Sequence, residues 1–209
     1  MKRDFATLPN QCFDLLICGG GIYGAWTAYD AALRGLKVAI VEQGDWASAT
    51  SSASSKLIHG GLRYLETYDL KLVSKSLKER KMLLQTAPHR VWPLRFGVPV
   101  YARQRINRLQ LKLGLTLYDF LAGDSDPQLR HSYFNPKQFD EHFPCLDEHA
   151  LKGGFTYADA QTDDARLVLE LISGAQDAGA SCVNYCKLVQ LLETNGKADG
   201  AIALSLIHI

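Results

Sequence analysis

The chain has 209 residues, 47% hydrophobic and 22% charged, with 23 Lys and Arg against 22 Asp and Glu. That composition belongs to a globular protein of one large or two small domains, long enough to bury a core without disulfides or metals. A formal net charge of +1 excludes a bulk electrostatic draw toward nucleic acid, and no apolar run reaches the roughly 18 to 20 residues that cross a bilayer.

No export signal is expected at the amino terminus. Met1, Lys2 and Arg3 are followed by Asp4, Pro9 and Asn10, and the apolar run at 13–18 is too short for one, so a cytoplasmic protein is expected. Cys12, Cys18, Cys145, Cys182 and Cys186 are odd in number and lack paired metal-ligand spacing, so they read as reduced thiols, with Cys182 and Cys186 in the core and no metal expected.

Residues 14–18 form a short apolar strand that runs into Gly19-Gly20-Gly21-Ile22-Tyr23-Gly24. Ala25, Ala28, Ala32 and Leu33 then make a small apolar helical stripe that stops near Gly35, and residues 38–41 are a second strand. A strand, glycine turn, helix and strand within about 30 residues is one parallel crossover. Residues 47–55, rich in Ser, Ala and Thr, read as a loop that exposes backbone. Leu70, Val73, Leu77 and Leu84 give residues 69–86 the period of an amphipathic helix, ended by Pro88. Pro93 and Pro99 reduce 91–101 to an edge strand or extended loop. A second amphipathic helix is predicted over 106–121, and 124–144 reads as a polar, proline-punctuated surface excursion. Asp163 or Asp164 caps a helix through Leu167, Val168, Leu171, Ile172 and Ala175 that ends at Gly179. Strands follow over 181–193, with Asn195-Gly196 as a hairpin turn.

The spacing Gly19-x-Gly21-x-x-Gly24 is weak alone, but here it follows a strand, opens a helix and precedes Glu42 at the end of the next strand, which is a dinucleotide fingerprint. Gly19 permits the tight turn, Gly21 lets backbone N–H groups approach a pyrophosphate, and Gly24 lets helix and strand pack closely. Glu42 would accept hydrogen bonds from a ribose diol and repel a 2′-phosphate, which leaves FAD and NAD both open. The plain alternative is a crossover turn with no ligand. In the loop that follows, small hydroxyl residues and glycines expose N–H groups to phosphates or ring carbonyls, and if the nucleotide is FAD, Lys56 would offset negative charge on the reduced flavin.

That loop continues as Ala49-Thr50-Ser51-Ser52-Ala53-Ser54-Ser55-Lys56-Leu57-Ile58-His59-Gly60-Gly61-Leu62-Arg63-Tyr64-Leu65-Glu66, which closely resembles the signature of FAD-dependent (aerobic-type) glycerol-3-phosphate dehydrogenases. The likeness extends through Ala87-Pro88-His89 and through Tyr157-Ala158-Asp159-Ala160-Gln161-Thr162-Asp163-Asp164-Ala165-Arg166-Leu167, covering most of 13–195. It implies an α/β fold: a Rossmann-like FAD domain of the glucose-oxidase and D-amino-acid-oxidase type with part of an α+β substrate domain. The expected divisions are 13–85 for the first part of the FAD domain, 86–155 for the substrate region, and 156–203 for the return to the FAD domain. Residues 204–209 depart from the charged strand pattern expected after Gly200 and are read as a non-native tail. Family members run well past twice this length, so the chain is expected to be an amino-terminal portion, inactive by itself.

The implied activity is oxidation of sn-glycerol 3-phosphate to dihydroxyacetone phosphate, with electrons passing through FAD to quinone or to oxygen. Cofactor contacts are expected from Gly19, Gly21, Ile22, Tyr23, Gly24, Glu42, Gln43, Ser51, Ser54, Ser55, Lys56, Leu57, His59, Gly60 and Gly61. The resemblance places His59 beside the flavin ring, where it is the candidate base for the hydroxyl proton at C2. Arg63 is the candidate for the substrate phosphate, since a guanidinium pairs bidentately with phosphate oxygens, and Tyr64 adds a hydroxyl donor. Against these stand a satisfied structural histidine and a surface salt bridge from Arg63 to Glu66. An amine or amino-acid oxidase and a non-catalytic nucleotide-binding fragment are the competing functions.

Two further patterns have competing explanations. Asp159-x-Gln161-x-Asp163-Asp164 with Glu170 approaches a calcium loop, but Asp164 stands where that loop needs glycine, and helix capping explains the aspartates better. Arg103, Arg105, Arg108 and Lys112 beside Leu109, Leu113 and Leu117 form either a solvated basic face or a peripheral contact with anionic lipid on the inner face of the cell membrane. For the full-length protein a homodimer is one expectation, its oligomeric state being otherwise open, and no nucleic-acid partner is expected.

Overall fold

Short all-apolar runs bounded by glycine turns become parallel strands, and longer runs with helical period become the helices that cover them. The computed structural model describes residues 3, 5, 8–102, 104–124, 126–144, 146 and 150–206. In chain order the elements are β1 (Leu15–Cys18), α1 (Ile22–Leu33), β2 (Val38–Val41), β3 (Leu57–Ile58), α2 (Leu70–Thr86), β4 (Val91–Tyr101), α3 (Arg108–Ala122), β5 (Ser132–Phe134), α4 (Pro136–His142), β6 (Leu151–Thr162), α5 (Asp164–Asp177), β7 (Ser181–Val183), β8 (Cys186–Thr194) and β9 (Lys197–Ser205). A 3-10 helix spans Leu62–Thr67. The chain divides into two compact units, Met1–Ser55 with Asp163–Ile209, and Lys56–Thr162.

In the first unit β1, β2 and β7 form a parallel sheet with β2 in the middle, in register from Leu15 opposite Val38 to Cys18 opposite Val41. All four residues of β2 are buried, as a strand covered on both faces requires. The core joins Ala25, Ala28, Ala31 and Ala32 of α1 to Leu167, Val168, Leu171, Ile172 and Ala175 of α5. Alanines let α1 lie close on its neighbours. Leu33, expected in this stripe, is exposed, and Ala31 takes its place. Asp163 caps α5 by accepting from Arg166 N, and α5 ends before Gly179 at φ +96°. Cys182 and Cys186 are buried. Strands β8 and β9 pair as an antiparallel hairpin whose turn residues, Asn195 and Gly196, both have positive φ, as the favoured two-residue hairpin turn needs. Leu204 and Ser205, assigned above to a tail, continue the β9 ladder opposite Lys187 and Cys186. Residues 207–209 lie outside the described residues.

The second unit is built on β6, flanked by β3 and β4, with β5 also paired to it. Strand β4 lies at the sheet edge with Pro93 opposite Ala160 and Pro99 opposite Gly154, and the register shifts between Pro99 and Tyr101. An edge tolerates the missing amide donors. Helices α2 and α3 supply Val73, Leu77 and Tyr118 to one core cluster, while Leu115 of α3 joins Val100 and Phe155 in another. The expected surface excursion at 124–144 is corrected in one respect: it contains β5 and α4, and α4 buries Phe139 completely. Its capping box at Asn135 and Gln138 and its Pro136 at the first helical position explain why so polar a segment starts a helix. The expected divisions at 85 and 155 fall inside this unit, because α2 packs on the 3-10 helix, α3 and β6, and β6 is one unbroken strand.

Candidate functional site

In the first unit the glycine turn, the end of β2 and the serine loop meet. Gly19 has φ +111°, a conformation open to glycine, and its N–H donates to Val41 O at 2.8 Å. A Cβ at Gly24 would stand 1.9 Å from Gly19 O, so helix and strand touch there through backbone. At Gly21 a Cβ would meet only Ser51 Oγ, at 3.6 Å. Gly21 is also the N-cap of α1, without a side-chain cap of its own and with no acid in the first turn, so nothing within the helix offsets the partial positive charge at its start. The Ile22 amide donates to Ser51 Oγ at 3.2 Å, which draws the serine loop onto the helix start. The Glu42 carboxylate accepts from Gly20 N at 2.6 Å and from Gly44 N at 2.7 Å, one bond to each oxygen. Each oxygen keeps a lone pair for a second donor.

The other predicted residues of this unit have separate places. Tyr23 and Gln43 are exposed. Ser54 donates to Asp164 Oδ2 at 2.5 Å, tying the loop to the first turn of α5, and Ser55 is exposed. Ala47, at φ +60°, closes the loop against the turn by donating its N–H to Gly20 O at 3.0 Å.

In the second unit Lys56 has φ +59° and its carbonyl accepts from Thr162 N at 3.0 Å. Leu57 and Ile58 pair with Gln161 and Ala160, and the ladder then ends. The chain turns through His59, Gly60 and Gly61, the last at φ +74°, into the 3-10 helix. His59, Arg63 and Tyr64 are all exposed there, and none of their side chains has a hydrogen-bonding or ionic partner among the described residues. The salt bridge weighed for Arg63 does not form: the Glu66 carboxylate takes Arg105 instead.

Behind that turn lies a charged group that periodicity did not reveal. Arg80, Tyr118 and Asp159 are 1%, 1% and 2% exposed. Asp159 Oδ1 accepts from Tyr118 OH at 2.6 Å, Arg80 Nη1 at 3.0 Å and Gly60 N at 3.1 Å. Arg80 also donates to Ala158 O at 2.7 Å and to Asp124 Oδ2 at 2.5 Å. Burial, with the Asp159 carboxylate beside it, pushes the Tyr118 hydroxyl far above its ordinary range; burial also raises Tyr157 to about 12. In the first unit, burial alone raises the Cys182 thiol to about 12. Of the aspartates in the rejected calcium pattern, Asp159 is thus an ion-pair partner, Asp163 a helix cap and Asp164 the acceptor of Ser54.

The pattern of the FAD dependent oxidoreductase family matches residues 14–205. The chain belongs to that family. With it come the α/β fold and the parallel crossover that opens on Gly19. Among relatives of this chain, a glycerol-3-phosphate dehydrogenase of Synechocystis is 46% identical over 184 residues, covering 88% of this chain and 33% of that protein. A D-erythritol 1-phosphate dehydrogenase of Brucella abortus is 46% identical over 189 residues, covering 90% of this chain and 36% of the other. Among solved structures, the glycerol-3-phosphate dehydrogenase of Bacillus halodurans complexed with FAD superposes with a TM-score of 0.70 at 33% identity, over 95% of this chain and 31% of that one. The chain therefore spans about a third of the length of the relatives it matches. The α1 start without an acid in its first turn, the open edge at Gly21 and the carboxylate of Glu42 fit the pyrophosphate and ribose of a dinucleotide.

Proposed function

We propose that the protein oxidises the secondary carbinol of a polyol phosphate, glycerol 3-phosphate in the first place, to the ketone dihydroxyacetone phosphate, with FAD as its cofactor. One observation carries the reading: a dinucleotide cradle and a turn presenting exposed His59, Arg63 and Tyr64 occur in one chain whose relatives are named for polyol phosphates. The α1 start at Ile22, Tyr23 and Gly24 holds the pyrophosphate, the Ile22 amide sharing its donor with Ser51 Oγ, with Gly21 leaving room for it, and Glu42 accepts from the adenosine ribose. Ser51, Ser54, Ser55, Lys56, Leu57, Gly60 and Gly61 complete the cofactor contacts, with Gln43 beside Glu42. When bound, FAD supplies the two-electron acceptor that no side chain can provide.

His59 takes the proton from the C2 hydroxyl as the C–H bond is broken, so that no oxocarbenium charge builds on carbon. Arg63 pairs with the phosphate dianion, and with no carboxylate among the described residues holding it, the guanidinium fork is available. Tyr64 donates from its hydroxyl to the same phosphate or to the neighbouring alcohol. Electrons leave for a quinone or for oxygen.

D-erythritol 1-phosphate is a second substrate reading, supported by equal identity to the Brucella relative. It shares the phosphate monoester and differs in chain length, so His59 and Arg63 keep their roles. The amino-acid oxidase alternative has no comparable support, since the likeness to such structures lies below 25% identity. Peripheral contact with anionic lipid is proposed for α3, where Leu109, Leu113, Leu117 and Phe120 are exposed on one side and Lys112 lies between them. Arg105 there is engaged by Glu66 and Arg108 stacks on Tyr133, while Arg103 lies outside the described residues. A homodimer is proposed for the intact protein. No described helix is long and apolar enough to cross a membrane.

The reading is tested by substrate profile. Turnover with glycerol 3-phosphate, and none with amino acids or unphosphorylated glycerol, supports it; faster turnover with D-erythritol 1-phosphate moves the assignment to the longer substrate. Turnover with amino acids alone would overturn it.

A further inference from the structure

The ladder between β3 and β6 is two residues long and stops at Ile58. Beyond it the amide of Gly60 finds a side chain, donating to Asp159 Oδ1 at 3.1 Å in a buried position. That oxygen also takes Tyr118 OH and Arg80 Nη1, so three donors from a turn and two helices converge on one atom. The carboxylate is in turn held by a guanidinium that is itself fixed by Asp124 and by the carbonyl of Ala158. Gly60 has no slack against this group: a Cβ there would stand 2.2 Å from Leu77 Cδ2 and 2.4 Å from Tyr118 OH.

Stability alone does not ask for such an arrangement. Taking an arginine and two carboxylates out of water is costly, and aliphatic side chains of similar volume serve a core at least as well. Arg80 Nε even has no partner among the described residues. What the charged group offers over an apolar one is direction: hydrogen bonds have preferred lengths and angles and are strengthened in a low-dielectric interior, which apolar packing does not match. The position fixed is that of the peptide between His59 and Gly60, whose far side carries the exposed His59 and, a few residues on, Arg63.

We propose that Arg80, Tyr118 and Asp159 form a buried positioning unit that sets the backbone of the His59–Gly61 turn and thereby the presentation of His59 and Arg63 to substrate. The proposal rests on the functional reading given above, but its geometric core does not need activity to be tested. None of the three touches substrate. They act through Gly60, and Tyr118, kept protonated at every working pH, remains a donor throughout.

The experiment is amide hydrogen exchange resolved at single residues on the intact, FAD-loaded protein, joined to steady-state kinetics with glycerol 3-phosphate. In the unmodified protein the Gly60 amide exchanges at least about tenfold more slowly than the amides of His59 and Gly61, although it lies past the end of the ladder. Tyr118→Phe keeps the ring and removes one donor. It accelerates exchange at 59–61 by about tenfold or more and lowers kcat by a similar factor, with FAD content and exchange in α1 unchanged. Arg80→Lys, which keeps the charge and loses the fork, falls between the two. A Gly60 amide that exchanges as fast as its neighbours in the unmodified protein overturns the proposal, whatever the variants do. So does a Tyr118→Phe protein with a lowered melting temperature but unaltered kcat and unaltered exchange at 59–61, which is the behaviour of a merely structural residue. Should the unmodified protein show the slow Gly60 amide but no turnover of glycerol 3-phosphate, the substrate assignment fails and the positioning unit stands.

Discussion

A methyl group at Gly24 would stand 1.9 Å from the carbonyl oxygen of Gly19, whereas one at Gly21 meets only Ser51 Oγ at 3.6 Å. The two glycines, three residues apart, therefore predict opposite outcomes. Gly24→Ala forces backbone apart and lowers unfolding free energy by about 3 kcal/mol, read as a shift of the urea midpoint. Gly21→Val leaves that midpoint within about 1 kcal/mol of the parent, because Gly21 has φ −85°, but strips FAD from the purified protein, read as loss of flavin absorbance. Arg63→Ala weakens use of glycerol 3-phosphate by about 2 to 5 kcal/mol in kcat/KM while flavin retention holds, since truncation leaves a phosphate dianion without its partner. Unaltered kinetics would return Arg63 to a surface role. These glycines were legible in the sequence because their signal is local: turn, helix start and acidic strand end fall within 24 residues, from Gly19 to Glu42. Arg80 was not. It sits among Lys75, Lys78 and Lys81 on a helix whose polar positions read as solvated, and its partner Asp159 is 79 residues away. Only a contact in three dimensions separates it from its neighbours.

Strand β6 and helix α4 define the second unit, and both were hidden in the sequence for one reason. Gly153 and Gly154 interrupt the β-branched pattern of a strand, yet a Cβ at Gly154 would lie 2.3 Å from the Phe139 ring and one at Gly153 2.4 Å from Phe134 O. The glycines are the sockets into which α4 and β5 pack. Strand β6 is also buried along most of its length, so it lacks the alternation that marks a half-exposed strand. Helix α4 is short and polar but for Phe139, which packs against Phe143 at 4.8 Å between ring centroids. Phe139→Ala removes a fully buried ring and costs about 3 to 5 kcal/mol, measured by urea unfolding. A loss under about 1 kcal/mol would make 124–144 the passive excursion that its composition suggests. The signal that betrays α4 is its cap, Asn135-Pro136 with Gln138, and not its hydrophobicity.

Across the molecule, groups with raised pKa values govern the response to alkali. Cys182 and Tyr157 ionise near 12 in the folded state, against about 8.5 and about 10 in an unfolded chain. Between those values the folded state holds more protons than the unfolded one, so the stability they contribute is complete below about pH 8.5 and is lost as pH rises toward 12. Urea midpoints should fall progressively above about pH 9, and Cys182→Ala should flatten the first part of that fall. A flat profile to about pH 11 would contradict the burial of both groups. Buried Cys182 and Cys186 should likewise resist alkylation until the protein unfolds. The proposed function needs one protein both to bind FAD and to select a phosphorylated polyol, and one measurement tests this most directly: anaerobic addition of glycerol 3-phosphate to the purified, intact protein, followed by visible absorbance. The account predicts yellow protein whose oxidised-flavin band bleaches on addition of glycerol 3-phosphate and persists with glycerol or amino acids. A colourless protein, or a flavin band that glycerol 3-phosphate leaves untouched while an amino acid bleaches it, would contradict it.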